Sequence, residues 1–458
     1  MRALVKSERG QIYALFAIVV LASAFGNLSQ TAVNAMLSDI MAELSINVSL
    51  GQWLTTSYML VLGITVPAAT YLSKRFAPRW HVLIALAFFL AGALADLFAR
   101  DFSMLLLGRV LQAVSTGLLM PLMQTVAMTR FPEGRRATAM GIAGIAMGFA
   151  PNIGPTIGGA MSFAFGWRSF FLLLLVAVAL FALATVLLVR GGKADRSARF
   201  DLFSFTLSAL GFGGLLLGFS EASSFSLASP LVWGPLVAGV LFLVMFVRRQ
   251  KRIADPLVNM DIFKSRQFSV GFAALCLLQA SFMGITLIIP LYVEGLGIGT
   301  SLDAGIVLLP GTAAALLLNP LAGLLTDRLG ARRVTLVSGL LLAIGSTLMV
   351  FVDESTPLVV TTLFQAVRAC GVSGLMGPLI SWSLAGLSRS VVSDGSSFSI
   401  AARQASSSLG TSAMVLLVAA SGSMALGATA PAFPYQMAFG LSAAFAVATF
   451  VLIAAKVR

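Results

Sequence analysis

Fourteen long apolar runs constrain this chain more than any other feature of its sequence. The first covers residues 12–37 and the last residues 435–455, and each is close to or longer than the roughly 20 apolar residues that a membrane-spanning helix requires. The chain is 58% hydrophobic and only 10% charged, whereas about a quarter of the residues in a soluble domain are charged. The sequence therefore predicts an all-α membrane protein with 14 transmembrane helices, the first of which is retained and is not a cleaved signal peptide.

Basic residues are distributed unevenly between the segments that join these runs. Twenty-five of the 30 lysines and arginines lie in the terminal or connecting segments on one side of the predicted membrane. Cytoplasmic segments carry an excess of basic residues, so both termini are expected in the cytoplasm. The net charge of +13 lies in short clusters between apolar runs, a pattern that argues against nucleic-acid binding. The short cytoplasmic-side loops are typical of a bacterial protein, so a bacterial cell membrane location is expected.

An internal repeat divides the sequence into two halves. Residues 70–79 align with residues 323–332, and Gln112 to Val114 align with Gln365 to Val367 at the same offset. Parallel repeats of this kind are typical of transporters whose substrate site lies between the halves. We therefore predict a six-helix bundle over residues 1–190, two linker helices with basic cytoplasmic loops over residues 191–267, and a second six-helix bundle over residues 268–458.

The chain resembles the major facilitator superfamily, and within it the 14-helix drug:proton antiporters of the lincomycin-resistance type. Three segments carry the resemblance: the loop motif of residues 323–333, the motif of residues 107–112 with its intramembrane arginine, and the antiporter motif of residues 148–159. The resemblance implies a major-facilitator fold, alternating access and two gating motifs. The implied gating residues are Asp327, Arg328, Gly330, Arg332, Gly154, Pro155, Gly158 and Gly159.

Two positions depart from the family pattern. The first helix of the family commonly carries an aspartate where this chain has Ser29, which leaves it without a standard carboxylate proton carrier. The loop motif of the first half normally has an aspartate where this chain has Lys74, and a glycine where it has Ala77. We therefore expect the Asp327 copy of this motif to be the better formed of the two.

Polar residues inside the apolar runs are the candidates for the transport pathway. Arg109, Arg368 and Arg403 lie within predicted helices, where each either faces the pathway or tethers neighbouring helices, and Arg403 could also reach the membrane surface. Polar side chains recur at helical spacing on four runs, where they either bond neighbouring helices or line a cavity. The predicted pathway residues include Asn27, Gln30, Asn34, Arg109, Gln112, Gln365, Arg368 and Arg403.

All 17 acidic residues are predicted to lie in loops or at helix ends. Proton coupling usually requires a buried carboxylate or histidine, and the chain has a single histidine. Glu294 and Asp39 are the predicted candidates for proton transfer, with a solvated loop position as the alternative for each. No metal site is expected, because the two cysteines lie in separate apolar runs and the chain offers no ligand cluster.

The leading hypothesis is an exporter of drugs or toxic compounds that needs no cofactor and draws on the proton-motive force. The alternatives are an exporter of an anionic amphiphile, such as a fatty acid or organic acid, and a transporter without a standard proton carboxylate. A membrane enzyme or sensor is disfavoured because the sequence lacks a zinc-protease helix, a nucleophile elbow and a phosphate loop. The expected partners are a small-molecule substrate and the lipid bilayer, with no nucleic acid, and the protein is expected to be a monomer.

Overall fold

A computed structural model describes residues 8–191, 200–222, 229–422 and 430–457 of the chain. Within these residues, 14 helices are long and apolar enough to cross a membrane, in agreement with the number predicted. They are α1 (Glu8–Leu44), α2 (Val48–Arg75), α3 (Pro78–Leu97), α4 (Phe102–Arg130), α5 (Glu133–Phe165), α6 (Arg168–Leu188), α7 (Leu202–Ala222), α8 (Pro230–Gln250), α9 (Arg266–Gly295), α10 (Ser301–Leu329), α11 (Ala331–Leu348), α12 (Leu358–Ala385), α13 (Val392–Gly422) and α14 (Phe433–Lys456).

The architecture is two six-helix bundles, α1–α6 and α9–α14, with α7 and α8 between them in sequence. The domain boundaries at residues 190/191 and 267/268 remain a prediction. Basic residues cluster at the junctions α2–α3, α4–α5, α8–α9 and α10–α11, in the helix ends and in the longer α8–α9 loop. The end of the molecule that these junctions share is called the basic end below. Six of the basic residues used to predict orientation lie outside the described residues: Arg2, Lys6, Lys193, Arg196, Arg199 and Arg458.

Helix ends use side chains to pair backbone groups that a helix leaves unsatisfied. The Asp101 side chain accepts a hydrogen bond from the Met104 N–H at the start of α4. Thr300 and Asp303 form a reciprocal capping box at the start of α10. Gly330 separates α10 from α11 with φ +87°, a backbone conformation that side-chain-bearing residues rarely adopt. This geometry gives Gly330 of the loop motif a clear structural role.

The two linker helices pack closely against each other through glycines. A Cβ atom on Gly214 would lie 2.7 Å from the carbonyl oxygen of Pro235, and one on Gly239 would lie 2.7 Å from the backbone nitrogen of Leu215. Small residues permit such close backbone approach in membranes. The Ser412 hydroxyl of α13 also donates a hydrogen bond to the carbonyl of Phe219 in α7. The linker pair is thereby joined to the second bundle.

Candidate functional site

A cavity of about 330 Å³ lies between the two six-helix bundles. It is lined from both bundles, by α1, α2, α4 and α5 on one side and by α9, α10, α12 and α13 on the other. Its size is within the range of sites for small organic molecules. The polar side chains in its wall are Asn27, Gln30, Thr31, Asn34, Asn152, Gln279, Thr286, Thr312, Asn319, Gln365, Ser373, Arg403 and Gln404.

The structure brings five of the predicted pathway residues together in this wall. Asn27, Gln30 and Asn34 recur on one face of α1, so the helical spacing seen in the sequence presents all three side chains to the cavity. Gln365 of α12 and Arg403 of α13 line the opposite bundle's side. Apolar side chains, including five methionines and Phe282, complete the wall.

Arg403 differs from every other described residue in the cavity wall because it alone carries a charge. It is 4% exposed, and its Nε and Nη1 atoms have no hydrogen-bond partner among the described residues. A buried guanidinium with unpaired donors is costly in an apolar setting, so a ligand that accepts hydrogen bonds there would be stabilised. The wall offers no described carboxylate that could perform this role.

Arg368 does not line the cavity. Its Nη2 atom donates to the carbonyl of Ser281 in α9 at 2.8 Å, and its Nη1 atom donates to Gln365 Oε1 at 3.4 Å. The side chain therefore ties α12 to α9, as in the helix-tether interpretation of the intramembrane arginines. Gln365 itself lines the cavity, so Arg368 lies directly behind the cavity wall.

Arg109 lies in a buried polar network inside the first bundle. Its Nη1 atom donates to Ser29 Oγ at 2.7 Å and to Gln112 Oε1 at 3.0 Å. Its guanidinium carbon lies 4.3 Å from the centre of the Tyr58 ring. The network extends further, because Gln112 Nε2 donates to Asp96 Oδ2 at 2.8 Å. Neither Arg109 nor Gln112 reaches the cavity wall, so both lie behind α1.

The acidic residues are the largest difference from the sequence analysis. Asp96 lies at the end of α3, as predicted, but it is fully buried rather than exposed to solvent. Asp394 lies at a helix end, in the first turn of α13, and it is also fully buried. The only sequence signal for Asp96 was its position inside the apolar run of residues 82–98.

Glu294 and Asp39, the predicted proton carriers, lie away from the cavity. Glu294 is exposed at the end of α9. Asp39 is exposed near the end of α1, where it accepts a hydrogen bond from Ser162. Neither side chain forms part of the cavity wall. Among the described residues, no side-chain hydrogen bond connects either carboxylate to the cavity wall.

The antiporter motif of α5 is adapted to close contact with α1. Residues Ile145–Phe149 form a π-helical segment, a feature often found at functional sites. Pro155 has no N–H to bond the carbonyl of Pro151, and the Thr31 hydroxyl of α1 donates to that carbonyl at 2.8 Å. Asn319 of α10 donates to the carbonyl of Gly144 at 2.9 Å. The irregular backbone therefore supplies bonding sites to both bundles.

The adjacent glycines of this motif differ in the space around them, and this difference gives a testable prediction. A Cβ atom on Gly158 would lie 2.7 Å from the carbonyl oxygen of Ala32, whereas one on Gly159 would lie 3.6 Å from the Cβ atom of Ala35. Gly158→Ala should cost about 1–3 kcal/mol of stability through overpacking and sharply reduce transport. Gly159→Ala should leave both unchanged or raise stability slightly, because alanine favours helix.

The measurements are the thermal unfolding midpoint of the purified protein and transport in vesicles. Equal effects of the two substitutions would contradict the assignment of Gly158 to the α1–α5 contact.

Two contacts join the bundles at the basic end. Asp327, in the last turn of α10, accepts hydrogen bonds from the backbone N–H groups of Ala137 and Thr138 and from the Thr138 hydroxyl, at 2.6–3.1 Å. Lys74, in the last turn of α2, forms a 3.1 Å ion pair with Asp394. The first-half motif therefore makes an inter-bundle contact even with lysine in place of aspartate. Arg328 and Arg332 of the loop motif are exposed.

Further hydrogen bonds between the bundles lie in the same half of the molecule. Thr70 donates to Ser397 at 2.8 Å, and Ser396 donates to Gln124 Oε1 at 2.8 Å. Together with the Asp327 and Lys74 contacts, these bonds close the cavity on the side of the basic end.

Comparison with known proteins agrees with this geometry. Residues 19–411 match the family model described as the Major Facilitator Superfamily. The chain is 33% identical over 436 residues to the uncharacterized MFS-type transporter YcnB of Bacillus subtilis, covering 95% of this chain and 92% of the relative. It is 30% identical over 429 residues to the lincomycin resistance protein LmrB of Listeria monocytogenes, covering 94% and 91%.

A solved structure shows the same fold. The proton:xylose symporter XylE, bound to 6-bromo-6-deoxy-D-glucose, superimposes with a TM-score of 0.66 at 14% identity, covering 99% of this chain and 97% of that one. The 14 spanning helices and the two-bundle architecture fit this comparison. The chain is a multi-pass membrane transporter that belongs to the Major Facilitator Superfamily.

Proposed function

We propose that this protein exports small amphiphilic molecules across a bacterial cell membrane by alternating access, in exchange for protons. The observation that carries the proposal is the cavity between the bundles, closed on one side by contacts that must break when the bundles rock. The basic end faces the cytoplasm, as the distribution of lysine and arginine indicates. The structure then corresponds to the state in which cytoplasmic access is closed.

The wall of the cavity supports an amphiphilic substrate. Methionine side chains and the Phe282 ring provide adaptable apolar surface, while amide groups from α1, α5, α9, α10, α12 and α13 provide hydrogen bonds. The relative from Listeria carries the name of a lincomycin resistance protein, which favours a drug or another toxic compound as substrate. The protein would act as a monomer, since one chain supplies both sides of the cavity.

A second candidate function is the export of an anionic amphiphile. It is favoured by Arg403, whose unpaired Nε and Nη1 atoms lie in a wall without a described acidic residue. A carboxylate or sulfonate on the substrate would satisfy these donors and neutralise the charge. A cationic substrate would meet uncompensated positive charge in the same place.

Arg403→Gln is expected to separate these candidates. If the substrate is anionic, loss of a charge-assisted hydrogen bond worth about 1.5–3 kcal/mol should reduce the export of an anion such as fluorescein by roughly tenfold to a hundredfold. Export of a cation such as ethidium should be unchanged or increased. The assay is efflux of each dye from cells of an efflux-deficient host, with Arg389→Gln as the matched control because Arg389 is exposed.

Proton exchange requires a separate test. Proteoliposomes with an imposed pH gradient should accumulate lincomycin, ethidium or fluorescein, with proton movement that depends on the compound. Transport that proceeds equally without a gradient, and without proton movement, would exclude antiport.

The Arg403 test has its own contradicting outcome. If Arg403→Gln lowers ethidium and fluorescein export equally, the anionic candidate is wrong.

A further inference from the structure

The buried network of the first bundle contains a carboxylate that α1 does not supply. Ser29 occupies the position where the resembling proteins commonly have an aspartate. Its hydroxyl donates to Gln112 Oε1 at 2.8 Å and accepts a hydrogen bond from Arg109. The first helix thus provides a dipole and no negative charge at this place. The negative charge comes instead from Asp96, one helix further along the chain.

The packing of α3 on α4 makes room for the Asp96 carboxyl group. A Cβ atom on Gly108 would lie 1.9 Å from Asp96 Oδ1, so glycine is needed beside Arg109 for the carboxyl group to fit. A Cβ atom on Gly92, one turn before Asp96, would lie 2.6 Å from the carbonyl of Gly108. Both glycines bring the helices close enough for Gln112 to reach Asp96.

The two charged groups of this network are bridged but not paired. No ion pair within 4.0 Å joins Asp96 and Arg109 among the salt bridges of the described residues. Asp96 Oδ1 and Arg109 Nη2 are each buried without a hydrogen-bond partner in the described part of the chain. Gln112 accepts from Arg109 with Oε1 and donates to Asp96 with Nε2. One carboxyl oxygen therefore remains available to take up a proton.

The other titratable groups near Asp96 are few. Tyr58 of α2 stacks against Arg109 and bonds Gly26 and Thr116 through its hydroxyl. Arg168 of α6 donates to the carbonyl of Ala99, three residues beyond Asp96, and forms an ion pair with Glu43 of α1. Arg168 is already paired, so Arg109 is the cation whose charge Asp96 balances.

We infer that Asp96 is the proton-binding carboxyl group of this transporter, a site moved from the first helix to the third. The inference rests on the proposed function of proton exchange. A hydronium ion from the aqueous side transfers a proton to Oδ1 of the carboxylate: its O–H bond breaks, the O–H bond of the carboxylic acid forms, and a water molecule leaves. The group becomes a neutral carboxylic acid. Arg109 then loses its balancing charge. Because Arg109 donates hydrogen bonds to Gln112 and to Ser29 of α1, this change in charge alters the bonding of α1.

The position of Asp96 suits this role. It lies one residue before the end of α3, away from the basic end, and only the short segment of residues 98–101 separates α3 from α4. With the basic end closed, protons would enter from the opposite side. On α1, Ser29 is adjacent to Gln30 and follows Asn27 by two residues, and both neighbours line the cavity. Protonation and substrate binding thus act on the same segment of α1.

Asp96→Asn tests the site while keeping the shape of the side chain. Proteoliposomes are assayed with lincomycin and fluorescein for gradient-driven accumulation, proton movement and exchange of labelled for unlabelled compound without a gradient. We expect accumulation and proton movement to be lost and exchange to be retained but no longer dependent on pH. Asp96→Glu should restore part of the coupling. Glu354→Gln is the matched control, because Glu354 is an exposed carboxylate in the loop before α12.

A second measurement needs no variant and decides the matter if Asp96→Asn does not fold. Dicyclohexylcarbodiimide reacts with protonated carboxyl groups in apolar surroundings, and we expect it to block transport by the unaltered protein with an adduct on Asp96 that mass spectrometry can locate. Loss of transport with adducts only on other residues would overturn the inference.

The outcomes separate the inference from the function on which it rests. Proton-coupled transport by Asp96→Asn equal to that of the unaltered protein would refute the role of Asp96 and leave antiport intact. Transport by the unaltered protein without any proton movement would refute antiport, and the role of Asp96 with it.

Discussion

Asp327→Asn is expected to reduce transport by at least roughly tenfold. The carboxylate accepts two backbone N–H groups and one hydroxyl from the first turn of the α-helical part of α5, which begins at Arg136. Such a helix N-terminus favours negative charge. An asparagine side chain has one acceptor oxygen, and its NH₂ group would face a donor. Losing charge-assisted bonds of about 1.5–3 kcal/mol would shift the equilibrium away from the closed basic end by tenfold to a hundredfold.

The measurement combines export with the distance between spin labels on Gly134→Cys and Leu329→Cys, two exposed positions beside the contact. The variant should show a broader distribution with longer distances. Asp261→Asn is the matched control, since Asp261 is an exposed carboxylate near the basic end that pairs only with Lys264 among the described residues. Thr138→Val should have a smaller effect of about 1 kcal/mol, because it removes one hydroxyl donor. An unchanged distance in Asp327→Asn would contradict the assignment.

Lys74→Asp is expected to have an effect of similar size, because it places two carboxylates against each other between the bundles. The Asp394 side chain is 1% exposed and the Lys74 side chain is 36% exposed. Removing the partner of a fully buried charge costs about 3–5 kcal/mol. Since Lys74 is partly in solvent, about 2 kcal/mol is expected, which is roughly a thirtyfold shift away from the closed basic end.

The exchanged pair, Lys74→Asp with Asp394→Lys, should recover part of the lost transport. Recovery should be incomplete because Asp394 lies in the first turn of α13, where a helix disfavours positive charge. The matched control is the same exchange at Asp261 and Lys264, an exposed pair of the same residue types at 2.9 Å. That exchange should change transport little, because exposed pairs contribute about 0–1 kcal/mol. Failure of the exchanged buried pair to exceed Lys74→Asp would show that the ion pair does not govern the closed state.

These contacts also revise the interpretation of the first-half loop motif. From the sequence, Lys74 in place of aspartate indicates a weakened gate. In the structure the charges are reversed: the lysine lies on the loop side and the carboxylate lies on α13. The second half keeps its carboxylate on the loop side, at Asp327. Both halves therefore contribute an inter-bundle contact, although only one of them matches the family pattern.

The three intramembrane arginines show where sequence reasoning stops. Arg109, Arg368 and Arg403 are similar in sequence, since each is a lone cation within an apolar run. In the structure one belongs to a buried network, one bonds backbone carbonyls of α9, and one lies in the cavity wall with unpaired donors. The neighbours that distinguish them come from other helices, far away in the chain.

The sequence by itself determined the 14 spanning helices, their predicted orientation and the face of α1 that carries Asn27, Gln30 and Asn34. These features follow from local physics: the length of an apolar run, the side of the membrane that basic residues prefer, and the helical period. Only the tertiary structure decided which polar groups are buried together. Asp96 meets Gln112 of the next helix, and Lys74 meets Asp394 from 320 positions away. Burial of a charge depends on the helices packed around it, and no local pattern records that packing.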